Sequence, residues 1–336
     1  MAFAARPFDD SGQDTLAPEA PDPAFLADVL QGLAQSDKAV PARWFYDMRG
    51  SQLFEEITRL PEYYPTRTET ELLRRHAPEI ARRIGNDPAL VEFGSGSSVK
   101  TRILLNHMPR ATYVPIDICG EFLDESCRSL QELFPELHIV PVEADFTKPV
   151  ALPQIAGGAD GERMMMGFFP GSTIGNMAPE AAVDLLRSIR NTLGPRSSLL
   201  IGIDRVKDTR RLVAAYDDAQ GVTAQFNLNL LTRMNRELGA TIPVDAFSHV
   251  ALWNEQAGRI EMHLRANRPV RFRVHNETFA MERGETIHTE NCHKYRPGEI
   301  RLMLAAGGWT ESKHWSDPDG DFSLVLADAS VDAVSA

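Results

Sequence analysis

Residues 91–100 read VEFGSGSSVK, preceded by Ala89 and Leu90 and followed by TRILLNHM from Thr101. The run from Ala89 to Phe93 has the apolar texture of a buried strand, and the segment after Lys100 has helical spacing. Strand, glycine turn and helix in that order bring backbone N–H groups and a helix N-terminus up to a ligand. Gly94 and Gly96 carry no Cβ, so the main chain can pass close to it. The dinucleotide fingerprint G-x-G-x-x-G is incomplete, because its third position is Val99. A turn with no ligand remains a competing reading of these residues alone.

Outward from this turn, the chain alternates strand and helix patterns. ATYVPIDIC gives a strand ending at Asp117, FLDESCRSLQELF a helix through Phe134, and LHIVPVEADF a strand ending at Asp145 and Phe146. A loop with Gly157 and Gly158 leads to a buried strand, Met164 to Phe169, whose methionines read as core filler. The turn PGSTIGNM (Pro170 to Met177), a helix and the strand SSLLIGID ending at Asp204 follow. Such alternation specifies a parallel α/β sheet of Rossmann-like type. Residues 209–238 read as a long helical region broken near Gly221. HVALWNEQAGRIEMHLRA and VRFRVHNETFAMERGETIHTE then alternate with period two, as antiparallel strands joined by glycine-containing turns. An antiparallel insertion in a parallel chain predicts a second, substrate-binding lobe. A helix and two terminal strands after Tyr295 return to the core.

Toward the N-terminus, two helices are expected over 51–60 and 68–84, separated by the proline-stiffened loop Pro61-Glu62-Tyr63-Tyr64-Pro65. Its tyrosines serve either as packing or as hydroxyl donors. A further helix is expected over 24–33, and residues 1–23, rich in Asp, Pro and Ala, are expected to be disordered. The expected division is therefore a substrate lobe from 24–67 and 207–294, and a core from 68–206 and 295–333.

Four successive strand ends carry Glu92 with Gly94 and Gly96, then Asp117, then Asp145, then Gly171 to Asn176. Open α/β sheets bind ligands outside the carboxyl ends of their strands. Asp117 falls where an acid accepts both ribose hydroxyls, and Asp145 with Phe146 would meet the adenine. Each acid alone reads equally well as a helix cap; four in register favour a nucleoside. Acid-x-Gly-x-Gly suits S-adenosylmethionine, whose sulfonium and amino groups are cationic and which lacks a pyrophosphate. A dehydrogenase is the alternative, opposed by Val99 and by the lack of an evident hydride-transfer pair.

Acidic residues outnumber basic ones 47 to 35, for a net charge of -12, which opposes a phosphate-rich partner such as nucleic acid. Three cysteines without CxxC spacing fit a reducing compartment. With no cationic-apolar leader and no membrane-length apolar run, a cytoplasmic protein is expected. The sequence is compatible with a monomer.

Several long motifs, in order, carry a resemblance. WFYD (Trp44 to Asp47), LPEYYPTRTE (Leu60 to Glu69), EFGSGSSVKTR (Glu92 to Arg102), GSTIGN (Gly171 to Asn176), AYDDAQGVTAQFN (Ala215 to Asn227) and TENCHKYRP (Thr289 to Pro297) resemble the histidine-specific Nα-methyltransferases of ergothioneine biosynthesis. The likeness runs from about Pro41 to the C-terminus. It implies a methyltransferase-type Rossmann core and three methyl transfers from S-adenosylmethionine to the α-amino group of L-histidine, yielding hercynine. It also implies roles. Gly94, Gly96, Lys100, Asp117, Asp145 and Phe146 would hold the cofactor. Tyr63, Tyr216 and Asn176 would fix the substrate's carboxylate and amino end. Tyr46 and the Gly171 backbone would place the amine, so that Tyr46 and Asn176 are the candidate catalytic residues. Glu290 would bind the imidazole, and Met262 would line the side-chain pocket.

Methyl transfer is an in-line displacement that needs a neutral, well-placed amine, and tyrosine and asparagine meet that need without the ammonium-favouring effect of a carboxylate. Glu290 accepting an imidazole N–H would separate histidine from apolar side chains; unaided, it reads as a surface carboxylate. The family commonly has serine at Cys292, and a thiol is the weaker hydrogen-bonding group. Prenylated tryptophan is therefore the alternative substrate, and a non-catalytic sensor the alternative role. His288, Cys292 and His293 are close in sequence, but strand alternation splits them across faces and no fourth ligand is evident, so no metal is expected.

Overall fold

The computed structural model describes residues 21–330 except 86, 97, 149 and 154–162. The expected disordered N-terminus up to residue 20, the Gly157-Gly158 loop and the C-terminal end after residue 330 lie outside the described residues. In chain order the elements are α1 (Pro23–Leu33), α2 (Met48–Ile57), α3 (Tyr64–Ile84), β1 (Ala89–Phe93), α4 (Thr101–Leu105), β2 (Thr112–Asp117) and α5 (Gly120–Leu133). Next come β3 (His138–Ile139), β4 (Val142–Glu143), β5 (Met165–Phe169), α6 (Pro179–Leu193), β6 (Ser197–Asp204), α7 (Thr209–Ala214) and α8 (Val222–Glu237). The chain closes with β7 (Phe247–Asn254), β8 (Arg259–Ala266), β9 (Val270–Val274), β10 (Glu277–Met281), β11 (Thr286–His293), α9 (Pro297–Ala306), β12 (Trp309–Ser316) and β13 (Phe322–Ala329).

The central sheet runs β12-β13-β6-β5-β1-β2-β3, with β4 also pairing β2. Strands β2, β1, β5 and β6 are parallel; β13 runs antiparallel to both of its neighbours, β6 and β12, so β13 alone is reversed among these six strands. Side-chain alternation sends neighbouring strand residues to opposite faces. Val91, Val114, Leu199, Ile201 and Val325 pack with α6 and α9, while Leu90, Tyr113, Leu200 and Leu324 pack with α3, α4 and α5. Both faces are covered, which is why the strands read as continuous apolar runs. The Rossmann-like α/β fold is the expected one.

A third apolar cluster gathers α1, α2, Trp44, Phe45 and Tyr63 with α7, α8 and β7–β11, so that segments far apart in sequence share one core. Strands β11-β8-β7 form one antiparallel sheet and β10-β9 another. Among the described residues no helix is long and apolar enough to cross a membrane.

Three local expectations are corrected. The expected strand 137–146 is two two-residue strands, because Pro141 between them has no N–H for the ladder. The helix after the glycine turn begins at Thr101 as expected but is only α4, five residues long, rather than running on through Met108. In the third, α3 starts at Tyr64 rather than Thr68. Pro65 occupies its first turn, where a missing N–H costs nothing, and Arg67 donates to the carbonyls of Leu60 and Pro61 at 2.7 Å each.

Candidate active site

At the carboxyl ends of the parallel strands lies a cavity of about 690 Å³. One end is made by the turns after β1 and β2. Gly94 and Gly96 have φ +76° and +48°, left-handed values that glycine adopts without steric cost. The Phe146 ring lies where a Cβ on Gly94 would approach it to 3.2 Å, whereas a Cβ on Gly96 would enter open space. Asp117 joins the two turns: Oδ2 accepts from Gly96 N–H at 2.9 Å and Oδ1 from Cys119 N–H at 3.1 Å. Burial pushes its carboxyl up from the ordinary value, against those backbone donors. Asp145 accepts from Thr147 N–H at 3.0 Å, so it caps its own turn while also facing the cavity.

The opposite end is aromatic. Tyr46 packs edge-on against Phe54 and Phe226, with centroids 5.9 and 5.8 Å away, and Tyr63 packs edge-on against Tyr216 at 6.1 Å. Burial, reinforced by neighbouring acidic groups, raises the phenols of Tyr46, Tyr63 and Tyr216 far above their usual range, so all three stay neutral. They are hydroxyl donors and acceptors, not bases.

Glu290 reaches the cavity through an irregularity in β11. His288 pairs with His263 but Glu290 pairs with Met262, so two steps on β11 answer one on β8. This bulge changes the alternation of the strand, placing Glu290 with Met262 on one face while the stacked rings of His288 and His263 share another. Asn176, ending a short 3-10 turn after Gly171, donates to Glu290 Oε1 at 3.1 Å. Burial pushes the Glu290 carboxyl up to about 7, opposed by the Lys294 ammonium. Cys292, 4 % exposed, accepts at Sγ from Tyr216 at 2.9 Å and from Lys294 at 3.1 Å.

Of the residues singled out from the sequence, Tyr46, Tyr63, Gly94, Gly96, Asp117, Asp145, Phe146, Gly171, Asn176, Tyr216, Met262, Glu290 and Cys292 all line this cavity. Lys100 is not among the cavity-lining residues. Its ammonium pairs with the buried Glu69, whose carboxylate also accepts from Gly171 N–H at 2.9 Å. Lys100 therefore fastens the Gly171 turn, and the group Gly171 has left to offer is its carbonyl. Glu92 does not line the cavity either: it accepts from Thr101 and Tyr113, and burial holds its carboxyl at about 8. The sequence reading of Glu92 as a partner for a cationic ligand is corrected accordingly.

Phe54, Thr223 and Phe226 line the cavity without having been singled out. Thr223 and Phe226 lie inside the quoted motif AYDDAQGVTAQFN, while Phe54 had only the apolar face of α2 as a signal. The histidines around Cys292 are engaged elsewhere, His293 with the Gly175 carbonyl at 3.0 Å and His288 with that of Glu290 at 3.0 Å. Glu261, His263 and His288 each bring one ligand atom within 4.8 Å of the others. There, however, Glu261 is already held by Asn254, Arg259 and His263, whose hydrogen bonds outweigh burial and keep its carboxyl at about 2. The cavity's glycine end offers the carboxylate acceptors of Asp117 and Asp145 with open space beside Gly96, a set that fits a nucleoside with a cationic tail.

A family model described as histidine-specific, S-adenosylmethionine-dependent methyltransferase matches residues 25–329. The chain belongs to that family. The match to the histidine-specific methyltransferases starts before Pro41 and so takes in α1. The histidine N-alpha-methyltransferase of Mycolicibacterium smegmatis is 44% identical over 319 residues, covering 93% of this chain and 97% of the relative. That of Mycobacterium tuberculosis is 44% identical over 310 residues, covering 90% and 94%. A 4-dimethylallyltryptophan N-methyltransferase of Penicillium roqueforti is 28% identical, covering 94% and 95%. As a member of this methyltransferase family, the protein uses S-adenosylmethionine as its methyl donor.

Proposed function

We propose that the protein trimethylates the α-amino nitrogen of L-histidine to hercynine, the first step of ergothioneine biosynthesis. The observation that carries the reading is one cavity that joins carboxylates and glycine turns suited to a nucleoside with neutral tyrosines and a buried carboxylate. The 44% identity to histidine N-alpha-methyltransferases over nearly the whole chain supports it. In this reading the lobe of 24–67 and 207–294 presents the amino acid to the core of 68–206 and 295–333.

S-adenosylmethionine, when bound, supplies an electrophilic methyl group on a sulfonium. Asp117 would accept the ribose hydroxyls, with Asp145 and Phe146 at the base and Gly94 and Gly96 letting the chain close on the ligand. Asn176 has its amide N–H on Glu290, which leaves Oδ1 free to accept from the substrate amine and aim its lone pair. Tyr46 and the Gly171 carbonyl would hold the remaining N–H. Each transfer would form an N–C bond on the amine and leave S-adenosylhomocysteine as the thioether, and the first two products would pass a proton to water before the next transfer. A shell of phenols and amides suits this sequence, because a carboxylate against the nitrogen would retain the ammonium form. Tyrosine faces also tolerate the final quaternary cation.

Glu290 would accept one imidazole N–H. Cys292 already accepts two donors at sulfur, so its own S–H is left to donate to the bare ring nitrogen. Indole offers a donor but no such acceptor, which favours histidine over a tryptophan derivative. The test is to incubate the protein with S-adenosylmethionine and each free amino acid and to follow product masses. Successive addition of three methyl groups to histidine alone is expected. Methylation of tryptophan derivatives instead would overturn the pocket assignment, and no transfer with cofactor bound would leave a sensor.

A further inference from the structure

Lys294 follows β11 directly and its side chain is 0 % exposed. Its three protons meet three acceptors: Asp204 Oδ2 at 2.7 Å, Tyr216 Oη at 2.9 Å and Cys292 Sγ at 3.1 Å. Asp204, also 0 % exposed, has a second ammonium on it, that of Lys207, and accepts from Tyr64 Oη at 2.7 Å. Two buried lysines therefore share one aspartate, leaving one positive charge in excess. Arg211 pairs with the nearby Asp321 at 2.7 Å, so that acid does not cancel it. The other acid that feels Lys294 is Glu290, across the cavity wall.

An uncompensated buried cation is costly unless a counter-charge comes to it. The histidine carboxylate is such a charge. Tyr216 has one proton to give and, since its oxygen accepts from Lys294, that proton must go to another acceptor. In the ligand-free protein it goes to Cys292 Sγ at 2.9 Å, a weak acceptor that a carboxylate displaces readily.

We propose that Lys294 is a positioning residue for carboxylate selection: it fixes the Tyr216 hydroxyl as a donor into the cavity and places the balancing charge for the substrate's carboxylate. The inference rests on the histidine methyltransferase reading. It accounts for how a site walled by neutral tyrosines chooses an amino acid over the corresponding amine. Lys294 touches no substrate atom in this account and acts through Tyr216.

The test compares L-histidine with histamine, which has the same ring and amine but no carboxylate, by calorimetry in the presence of S-adenosylhomocysteine and by inhibition kinetics. In Lys294→Met the histidine dissociation constant and KM rise at least tenfold. The histamine constant, the S-adenosylhomocysteine constant and kcat at saturating histidine change by less than threefold. Equal weakening of histidine and histamine, or unchanged histidine binding, overturns the proposal. Should Lys294→Met lose S-adenosylhomocysteine binding, and so its fold, Tyr216→Phe carries the test. It keeps the buried charge but removes the donor, and it must weaken histidine tenfold while sparing histamine, failing which the proposal falls. Should the unaltered protein bind S-adenosylhomocysteine but not histidine, the reading of histidine as its substrate fails, and this inference with it.

Discussion

The proposed cofactor end of the cavity takes Gly94, Gly96, Asp117, Asp145 and Phe146 from consecutive strand ends, whereas the proposed amino-acid end takes Tyr46, Tyr63, Asn176, Tyr216, Met262 and Glu290 from elements far apart in the chain. Two buried glutamates show the contrast. Glu92, on β1, has its acceptor oxygen filled by Thr101 and Tyr113 and serves the wall. Glu290, on β11, has one amide donor from Asn176 and the cavity in front of it. Burial raises both carboxyls, to about 8 and about 7. A raised carboxyl therefore does not by itself place a glutamate at the cavity; Glu290 is proposed for the substrate because it faces the cavity and Glu92 does not.

The contrast breaks most sharply if the two ends fail to separate by mutation. Glu290→Ala is expected to weaken histidine by about 2–3 kcal/mol, the cost of leaving a buried donor unmatched, with S-adenosylhomocysteine unaffected in calorimetry. Asp117→Ala is expected to weaken S-adenosylhomocysteine by about 1–3 kcal/mol and to release the Gly96 and Cys119 N–H groups. Were both ligands lost together in either variant, the ends would be one cooperative unit.

A smaller effect separates the two glutamates by pH. Burial lifts each carboxyl above its ordinary value of 4.5, so the fold favours the protonated form. That stability is complete below about pH 4.5 and is lost as pH rises through 7 for Glu290 and 8 for Glu92. Melting temperatures of ligand-free Glu290→Gln and Glu92→Gln should each fall less between pH 5 and 9 than that of the parent protein. Saturating histidine with S-adenosylhomocysteine should abolish the Glu290 share, since an imidazole N–H stabilises the carboxylate, and leave the Glu92 share intact. A ligand that changes both equally would deny the distinction drawn between them. Smallest of all, Cys292→Ser should alter histidine affinity by less than about 1 kcal/mol, because either group can accept from Lys294 and donate onward.

The same contrast explains what could be read from the residues. Strand ends recur with the chain's own period, so Gly94, Asp117 and Asp145 fall in register, and the parallel α/β class follows from the alternation of elements. Tyr46, Tyr216 and Glu290 needed long motifs shared with a known family, since nothing local brings residues so distant together. The bulge that turns Glu290 is invisible to a two-residue alternation, which would have kept it on the face of His288. Lys100 matched its motif yet serves Glu69, because a motif fixes a residue's place and not which way its side chain is drawn. Lys294 gave no signal beyond its place in TENCHKYRP, as its role arises from a charge balance with Asp204 and Lys207.

The most direct test of the account is the position of the transferred groups. The protein would be supplied with ¹³C-methyl-labelled S-adenosylmethionine and L-histidine, and the product examined by NMR. The account predicts one intense trimethylammonium resonance coupled to the α-carbon, with the imidazole unlabelled. Label on a ring nitrogen, or a product that stops at one methyl group, would contradict it.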